Sequence, residues 1–472
     1  MQPTESWPDF LRWQTYPLLN IRWTDITTNQ KPPRSTQHRS NKKLEMITYF
    51  KPLEDPCTIP EVQKPFDLEV QLPGSKSIAL RQLLISALSS SRSKLEGIPV
   101  CDDVDAMLRT LDKLGVKTTT TPHNNVYIID PENLDLSSNV KLDLHMSGVS
   151  LRLLIAMSGL RHGITRLEGH QQLAARPNHD LLTAMSSLGC AVTANDGKLP
   201  IEIEGPITSG QVKLSSHVSS QYLTALLLVA PRMTNGLTIR LTEPVSSASY
   251  VQITTSEMAK RKVEVSWVND LIEIKPQSYG GTSILIEGDA SAATYHAALA
   301  TLHGSKVTIT NLGQESNQGD LNFLTLCERM GATIERAKDT VSIEGPKDLK
   351  PIDSIDMSNM PDAAPTLFAM APYLPKSIHI TGLGTLRHKE CDRLGCSAIE
   401  LRKAGVTFKE GPDFATIEPS KTNGAAFNTY QDHRMAMSLA VFGTRTHWCQ
   451  IKDPACVSKT YVDFWKDLSR IY

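Results

Sequence analysis

At 472 residues, 40% of them hydrophobic, the chain is long enough to bury two sizeable cores. Its 49 Lys and Arg against 50 Asp and Glu leave a formal net charge of −1, so no global field draws nucleic acid or an anionic membrane surface. No apolar run approaches the roughly 20 residues of a membrane-spanning helix. The eight cysteines (57, 101, 190, 327, 391, 396, 449, 456) include no C-x-x-C pair and no zinc-type spacing. With no signal peptide, they read as reduced thiols of a cytosolic protein.

Residues 1–45 differ from the rest. They hold three of the six tryptophans (Trp7, Trp13, Trp23) and a polar run, 28–43, that reads as disordered. Glu5, Asp9 and Asp25 argue against a transit peptide, and Met46 is an alternative start.

The stretch Phe66-Asp-Leu-Glu-Val-Gln-Leu72 alternates like a half-buried strand. Pro73-Gly74 ends it, Ser75 or Ser77 caps a following helix, and Lys76 and Arg81 fall in its first turns. Free N–H groups and a positive dipole end already favour an anion there, so two added cations point to a phosphate or carboxylate subsite. It is not a nucleotide P-loop, because Ser75 and Val70 stand where that motif needs glycine.

Five segments then share one pattern, an apolar-periodic helix followed by a turn and an alternating strand. Their turn residues are Gly115, Gly189, Lys262, Gly331 and Gly405, each at a position suited to left-handed backbone after a helix. They recur at intervals of roughly 70 residues, too long for a solenoid of single hairpins. A final helix over 461–471 closes a sixth α/β unit, which predicts two similar globular halves.

Polar clusters gather at helix starts: Asp102-Asp103, Arg176-Pro-Asn-His-Asp180, Ser219-Ser220-Gln221, Ser246-Ser-Ala-Ser-Tyr250, Gln318-Gly-Asp320, His388-Lys-Glu-Cys-Asp-Arg393, Gln431-Asp-His-Arg434 and Ser458-Lys-Thr460. Capping explains the Ser, Asp and Asn residues but not the cations. Lys389 and Arg393 read as a repulsive i, i+4 pair on one helix face, a broken local rule that marks a site for a multiply anionic small ligand. Asp362, among small apolar neighbours, is expected either to be raised by burial toward a general-base range or to cap the apolar helix over 363–371.

Leu72-Pro-Gly-Ser-Lys-Ser77, Ser219-Ser-Gln-Tyr-Leu-Thr-Ala225, Glu287-Gly-Asp-Ala-Ser291, Lys389-Glu-Cys-Asp-Arg393, Thr429-Tyr-Gln-Asp-His-Arg-Met-Ala-Met437 and Asp453-Pro-Ala-Cys-Val-Ser-Lys-Thr460 occur in one order along the chain. In these stretches residues 60–472 resemble the 3-phosphoshikimate 1-carboxyvinyltransferase (EPSP synthase) family. The resemblance implies an α/β, two-domain enolpyruvyl transferase-like fold of six βαβαββ-type units with a cleft between the domains. One domain would be discontinuous, 46–74 plus 289–472, and the other 75–288, preceded by the extension 1–45.

The implied reaction moves the enolpyruvyl group of phosphoenolpyruvate to the 5-hydroxyl of shikimate 3-phosphate, through a tetrahedral intermediate, releasing phosphate. By matching position Asp362 is the hydroxyl base, Lys76 a catalytic cation and proton carrier, and Glu390 the group serving the methylene carbon. Lys76, Ser77, Arg81, Ser219, Ser220, Gln221, Ser247, Tyr250, Asp362 and Lys389 form the implied acceptor set. Lys76, Gly148, Arg176, Gln221, Arg393, Arg434 and Lys459 form the phosphoenolpyruvate set. No metal or organic cofactor is implied; the partners are the two small substrates, and a cytoplasmic monomer is expected.

The chain departs from the family pattern. Ala79-Leu80 replaces Ser-Asn, Met146-Ser-Gly-Val-Ser-Leu-Arg-Leu153 replaces Asn-Ala-Gly-Thr-Ala-Met-Arg-Pro, and Thr385 stands where many members carry Asn. These changes predict a smaller, drier phosphoenolpyruvate subsite with altered glyphosate sensitivity. They leave open a paralogue acting on another phosphorylated cyclic polyol, or a non-catalytic relative that binds phosphorylated metabolites.

Overall fold

The computed structural model describes residues 54–121, 126–215 and 219–472. The extension expected over 1–45, with its alternative start at Met46, lies outside the described residues.

Among the described residues the strands form five four-stranded sheets and one of three strands. Strand Gln211–Leu214 pairs in parallel with Leu237–Leu241 across helix Ser220–Val229. Helix Ala248–Ala259 follows, and Ser266–Val268 and Leu271–Ile274 complete the sheet antiparallel. This βαβαββ path puts Val212, Ile239 and Ile272 in register, all buried beneath the helices' apolar faces. The sheet over residues 140–204 follows the same order.

Two sheets take their first strand from a distant part of the chain. Asp67–Val70 pairs in parallel with Lys306–Ile309, and Ser283–Leu285 with Ser93–Glu96. The chain therefore crosses twice between two hydrophobic cores, one built from residues 57–72 and 290–471, the other from residues 78–286. The crossings meet at a Gly74–Gly288 bridge. There Ser75 N–H donates to the Glu287 carbonyl (2.7 Å) and Asp289 N–H to that of Pro73 (2.9 Å). A Cβ on Gly74 would lie 1.9 Å from the Gly97 oxygen, so only glycine fits this passage. Strand Cys57–Ile59 closes the three-stranded sheet beside Cys449–Ile451.

Every turn residue expected to be left-handed is so: φ is +84° at Gly115, +100° at Gly189, +61° at Lys262, +106° at Gly331 and +84° at Gly405. Other local expectations need correction. The last helix spans only Phe464–Ser469, because the 3-10 turn Pro454–Lys459 occupies the chain before it and, in the stretch between, buried Tyr461 is tied to His296 and Asp467. Helix Lys76–Ala87 begins after Ser75, whose hydroxyl makes no capping bond. Asp362 caps nothing; it lies inside the 3-10 turn Pro361–Ala363 that precedes helix Ala364–Met370.

Lys262 is the lysine among five left-handed turn positions otherwise occupied by glycine. A left-handed non-glycine residue costs about 1–2 kcal/mol, partly offset by the greater unfolded-state entropy of glycine. Lys262→Gly should raise stability by roughly 0.5–1 kcal/mol, read as a higher urea midpoint at unchanged slope.

Candidate active site

Helices Lys76–Ala87, Asp102–Lys113, Gly148–Ser158 and Ser220–Val229 from one core, and Arg393–Lys403 and His433–Gly443 from the other, aim their first residues into one cavity. The cavity holds about 1000 Å³ including its open mouth. Its wall carries seven cations (Lys76, Arg81, Arg152, Arg176, Lys389, Arg393, Arg434) against four carboxylates (Asp103, Asp289, Asp362, Glu390). Six helix N-termini add positive potential to that excess, so the cavity suits multiply anionic ligands.

Asp362 is the hub. Its Oδ1 lies 3.0 Å from Lys389 Nζ and 3.0 Å from Arg393 Nη1, and its Oδ2 lies 3.0 Å from Arg434 Nη2. Burial alone would push its pKa up, but Arg434, Lys389 and Arg393 outweigh that and hold it well below the usual carboxylate range. The expectation of a raised Asp362 is therefore wrong. Its small neighbours in sequence do not set its field; cations from other elements do. Lys389 and Arg393 also do not share a helix face: Lys389 follows the 3-10 turn Gly384–His388, and the helix starts at Arg393. Asp362 between them removes their repulsion.

Arg393, 1% exposed, is gripped from three sides. It donates to Asp432 from Nε (2.7 Å) and Nη2 (3.2 Å), to Glu390 Oε2 (2.6 Å) and to Asp362. Asp432 also caps the next helix by accepting from Arg434 N–H at 2.9 Å. Glu390 Oε1 lies 3.8 Å from Arg176 Nη1. Burial opposes ionisation of Glu390, yet Arg393, Arg176 and Lys459 keep it well below its ordinary value.

At the other wall Asp103 clamps two lysines, Lys76 at 3.0 Å and Lys459 at 2.6 Å. Burial would lower Lys76, but Asp103 and Glu390 hold it above the ordinary lysine value. Lys459 also donates to the Met146 carbonyl at 2.8 Å. Each residue of the two implied substrate sets lines the cavity except Lys459, which stands behind Asp103.

Gly148 begins its helix where two guanidinium groups converge. A Cβ there would fall 2.4 Å from Arg176 Nη1 and 2.8 Å from Arg152 Nη1. Both arginines keep a buried Nε without a partner, and Gln221 Oε1 nearby along the wall has none either. Burial, with Arg176 beside it, brings Arg152 down to about 9. The under-partnered guanidinium donors call for an anion.

Opposite lie the hydroxyls. Ser219 caps its helix by accepting from Gln221 N–H (3.2 Å), and Ser247 holds the left-handed entry to helix Ala248–Ala259. Lys389 Nζ sits 6.0 Å from the centre of the Tyr250 ring, whose hydroxyl approaches Asp320 Oδ2 at 3.5 Å. Arg81 donates to the Ser77 carbonyl (2.6 Å), Thr254 (2.9 Å) and the Tyr250 carbonyl (3.0 Å), which braces this wall.

Several residues here went unassigned in the sequence. Asp103 and Asp432 sit where helix capping explains an acid, so nothing distinguished them as lysine and arginine clamps. His433 lines the cavity with its Nδ1 3.5 Å from Asp432 Oδ1 and neither ring nitrogen in a hydrogen bond, and burial together with Lys76 and Arg434 keeps it neutral. Among the departures only Val149 and Thr385 reach the cavity. Ala79, Leu80 and Leu153 are core residues, and Met146 offers its backbone carbonyl. Among the described residues no group of three or more His, Cys, Asp or Glu is placed to hold a metal ion.

The fold with its cleft is that of the enolpyruvyl transferases. An EPSP synthase structure from Acinetobacter baumannii superposes with a TM-score of 0.73 at 23% identity, covering 87% of this chain and 96% of that one. The enolpyruvyl transferase NikO from Streptomyces tendae gives 0.68 at 16% identity, covering 88% and 97%. Residues 60–468 match the family model for EPSP synthase (3-phosphoshikimate 1-carboxyvinyltransferase), and the chain belongs to that family. Relatives named 3-phosphoshikimate 1-carboxyvinyltransferase include one from Trichormus variabilis, 35% identical over 417 residues and covering 87% of this chain and 98% of its own. Another, from Methanosphaerula palustris, is 37% identical over 411 residues and covers 86% and 97%.

Asp320, 4% exposed, is the counter-example to Asp362. Burial and the nearby Asp362 charge push it up to about 6 from 3.8. An acid whose folded pKa exceeds its unfolded value binds protons on folding, so its destabilising effect is absent below about pH 4 and complete above about pH 6. Asp320→Asn should therefore gain roughly 1–3 kcal/mol at pH 7 and nothing at pH 4. Chemical denaturation at both pH values checks this; an equal gain at each would contradict it.

Proposed function

We propose that this chain transfers the enolpyruvyl group of phosphoenolpyruvate to the 5-hydroxyl of shikimate 3-phosphate, releasing inorganic phosphate. The observation that carries the reading is Asp362, ionised and held by Lys389, Arg393 and Arg434 in the same cavity as Lys76 and Glu390. The two substrates bring two phosphates and two carboxylates, which the excess of wall cations can meet.

The reaction adds the acceptor oxygen to C2 of phosphoenolpyruvate and a proton to its methylene carbon. The resulting tetrahedral intermediate then loses phosphate and a methyl proton, which restores the double bond in the product. Asp362 takes the hydroxyl proton. Unliganded, it is a weak base because three cations stabilise its charge; substrate anions that engage those cations weaken that hold and raise its basicity. Lys76, protonated and anchored on Asp103, stands as the cation and proton carrier. Glu390, beside Arg393 and Arg176, serves the methylene carbon. Arg152, Arg176 and Gly148 N–H frame one anion, with Arg434, Arg393 and Gln221 completing the phosphoenolpyruvate set and Lys459 supporting it through Asp103. Ser77, Arg81, Ser219, Ser220, Ser247, Tyr250 and Lys389 hold the acceptor.

In this reading residues 46–74 plus 289–472 and residues 75–288 act as two domains that close over the substrates. In this reading the protein works as a monomer and in the cytoplasm, the latter supported by eight cysteines that are all free.

Phosphate release by the purified protein should require both substrates. Asp362→Ala should lower it about 10²–10⁴-fold, the usual contribution of a positioned base, while circular dichroism stays unchanged. Release with phosphoenolpyruvate alone, or full activity in Asp362→Ala, would sink the assignment. Gly148→Ala drives a methyl into Arg176 and Arg152. It should raise KM for phosphoenolpyruvate on the order of tenfold or more and leave KM for shikimate 3-phosphate nearly unchanged, as initial-rate kinetics would show.

A further inference from the structure

We infer that Glu400 is a positioning residue for the phosphoenolpyruvate subsite: it holds the turn 429–432 in a form that the turn's own residues disfavour, and that turn aims Asp432 and Arg434. Glu400 is fully buried and does not line the cavity. It sits about two turns beyond Arg393 on helix Arg393–Lys403, so both side chains leave one face of that helix. Its Oε1 accepts from the Tyr430 hydroxyl at 2.5 Å. Its Oε2 accepts from the Asn428 N–H at 2.9 Å and from Lys403 Nζ at 2.6 Å.

The turn that it braces is filled by the wrong residue types. Asp432 N–H donates to the Thr429 carbonyl at 2.9 Å, which closes the turn. Both central residues are left-handed, with φ of +57° at Tyr430 and +56° at Gln431. Such turns select glycine, asparagine or aspartate, because a Cβ is crowded against the backbone there. Tyr430 and Gln431 lack that advantage. The compensation comes from Glu400, which bonds the chain just before the turn through its backbone and the first central residue through its side chain. Backbone in this region persists where the surroundings over-determine it.

Downstream, Asp432 accepts from Arg393 Nε at 2.7 Å and caps its helix by accepting from Arg434 N–H at 2.9 Å. Arg434 Nη2 then reaches Asp362 at 3.0 Å. Helix Arg393–Lys403 therefore grips segment 428–434 twice, through Arg393 at Asp432 and through Glu400 at Asn428 and Tyr430. Without the second grip the turn relaxes toward right-handed backbone and carries Asp432 and Arg434 with it. Misplacing such groups by about 1 Å costs up to about a hundredfold in rate. The effect on turnover rests on the transferase reading above; the hold on the turn does not.

Three variants of the full chain test this. Glu400→Gln keeps the shape but leaves one acceptor where two stood, and Tyr430→Phe removes a single hydrogen bond. The third combines Glu400→Gln with Gln431→Gly, since glycine takes left-handed backbone without strain. Hydrogen–deuterium exchange of amides 428–434, read by mass spectrometry, should quicken at least about tenfold in Glu400→Gln and about threefold in Tyr430→Phe, with helix Gly148–Ser158 unchanged. KM for phosphoenolpyruvate should rise about tenfold in Glu400→Gln while KM for shikimate 3-phosphate stays within about twofold. Adding Gln431→Gly should win back at least about threefold of that loss. A Glu400 that served folding alone would lower kcat through a smaller folded fraction, leave both KM values in place and gain nothing from Gln431→Gly. Unchanged exchange over 428–434, an equal rise in both KM values, or no recovery in the combined variant overturns the inference. Where Glu400→Gln does not fold, Tyr430→Phe decides it by the same exchange and KM readings. If the unaltered protein shows no turnover, the transferase reading fails, and the exchange rates still decide whether Glu400 holds the turn.

Discussion

The shared carboxylates of the cleft are what the rest of the site depends on. Asp362, Asp432, Glu390 and Asp103 hold five cations (Arg393, Arg434, Lys389, Lys76 and Lys459) in a space where several helix N-termini already raise the potential. Unpaired, so many buried cations would shed protons or force the walls apart. Paired with too many acids, they would have nothing left for a ligand. Here the balance stops short of neutrality, leaving Arg152, Arg176 and Arg434 with buried, unpartnered Nε groups.

The same economy governs how the two cores meet. Several contacts that cross between them are polar: Lys459 to Asp103, Ser458 to Asp102 (2.7 Å), Ser249 to the Asn359 carbonyl (2.6 Å), Tyr250 to Asp320 and Arg176 to Glu390. The Ser458–Asp102 bond is exposed and exchanges readily for water, so its net stabilisation is small, whereas the Lys459–Asp103 pair is buried. The apolar groups instead belong to one core or the other. A ligand that bridges cations on both walls would add interactions across the cleft that the unliganded protein lacks. The glycines at the Gly74–Gly288 bridge keep the two passing strands close enough to bond each other.

Local structure was legible in the sequence where neighbours along the chain decide it. Left-handed turn residues after helices, Lys262 included, were readable because the helix period and the strand period meet there. The cleft residues were readable as cations out of place at helix starts. Their partners were not. Asp362 is 31 residues from Arg393 and 72 from Arg434, and no local pattern announces such pairs. Lys389 and Arg393 therefore looked repulsive, and Asp362 looked like a buried acid with a raised pKa. Asp103 and Asp432 stayed hidden behind their ordinary role at helix starts.

That error about Asp362 carries mechanistic content. A base raised by burial would already be partly protonated in the empty site and would lose its function as the pH falls. A base held down by three cations stays ionised over a wide pH range but binds protons weakly. Its strength then depends on what else those cations touch. When a phosphate or carboxylate shares Lys389, Arg393 or Arg434, the field at Asp362 weakens and its affinity for the hydroxyl proton rises. Under the proposed transferase reading, the substrates themselves would thus supply the basicity of Asp362, once the hydroxyl is in place and water has been displaced. Asp320, buried beside Tyr250, shows the alternative: Arg434 and the Ser291 hydroxyl offset burial and the like charge of Asp362 only in part, and its carboxyl rises to about 6. The difference between the two acids lies in which cations the fold has brought to each.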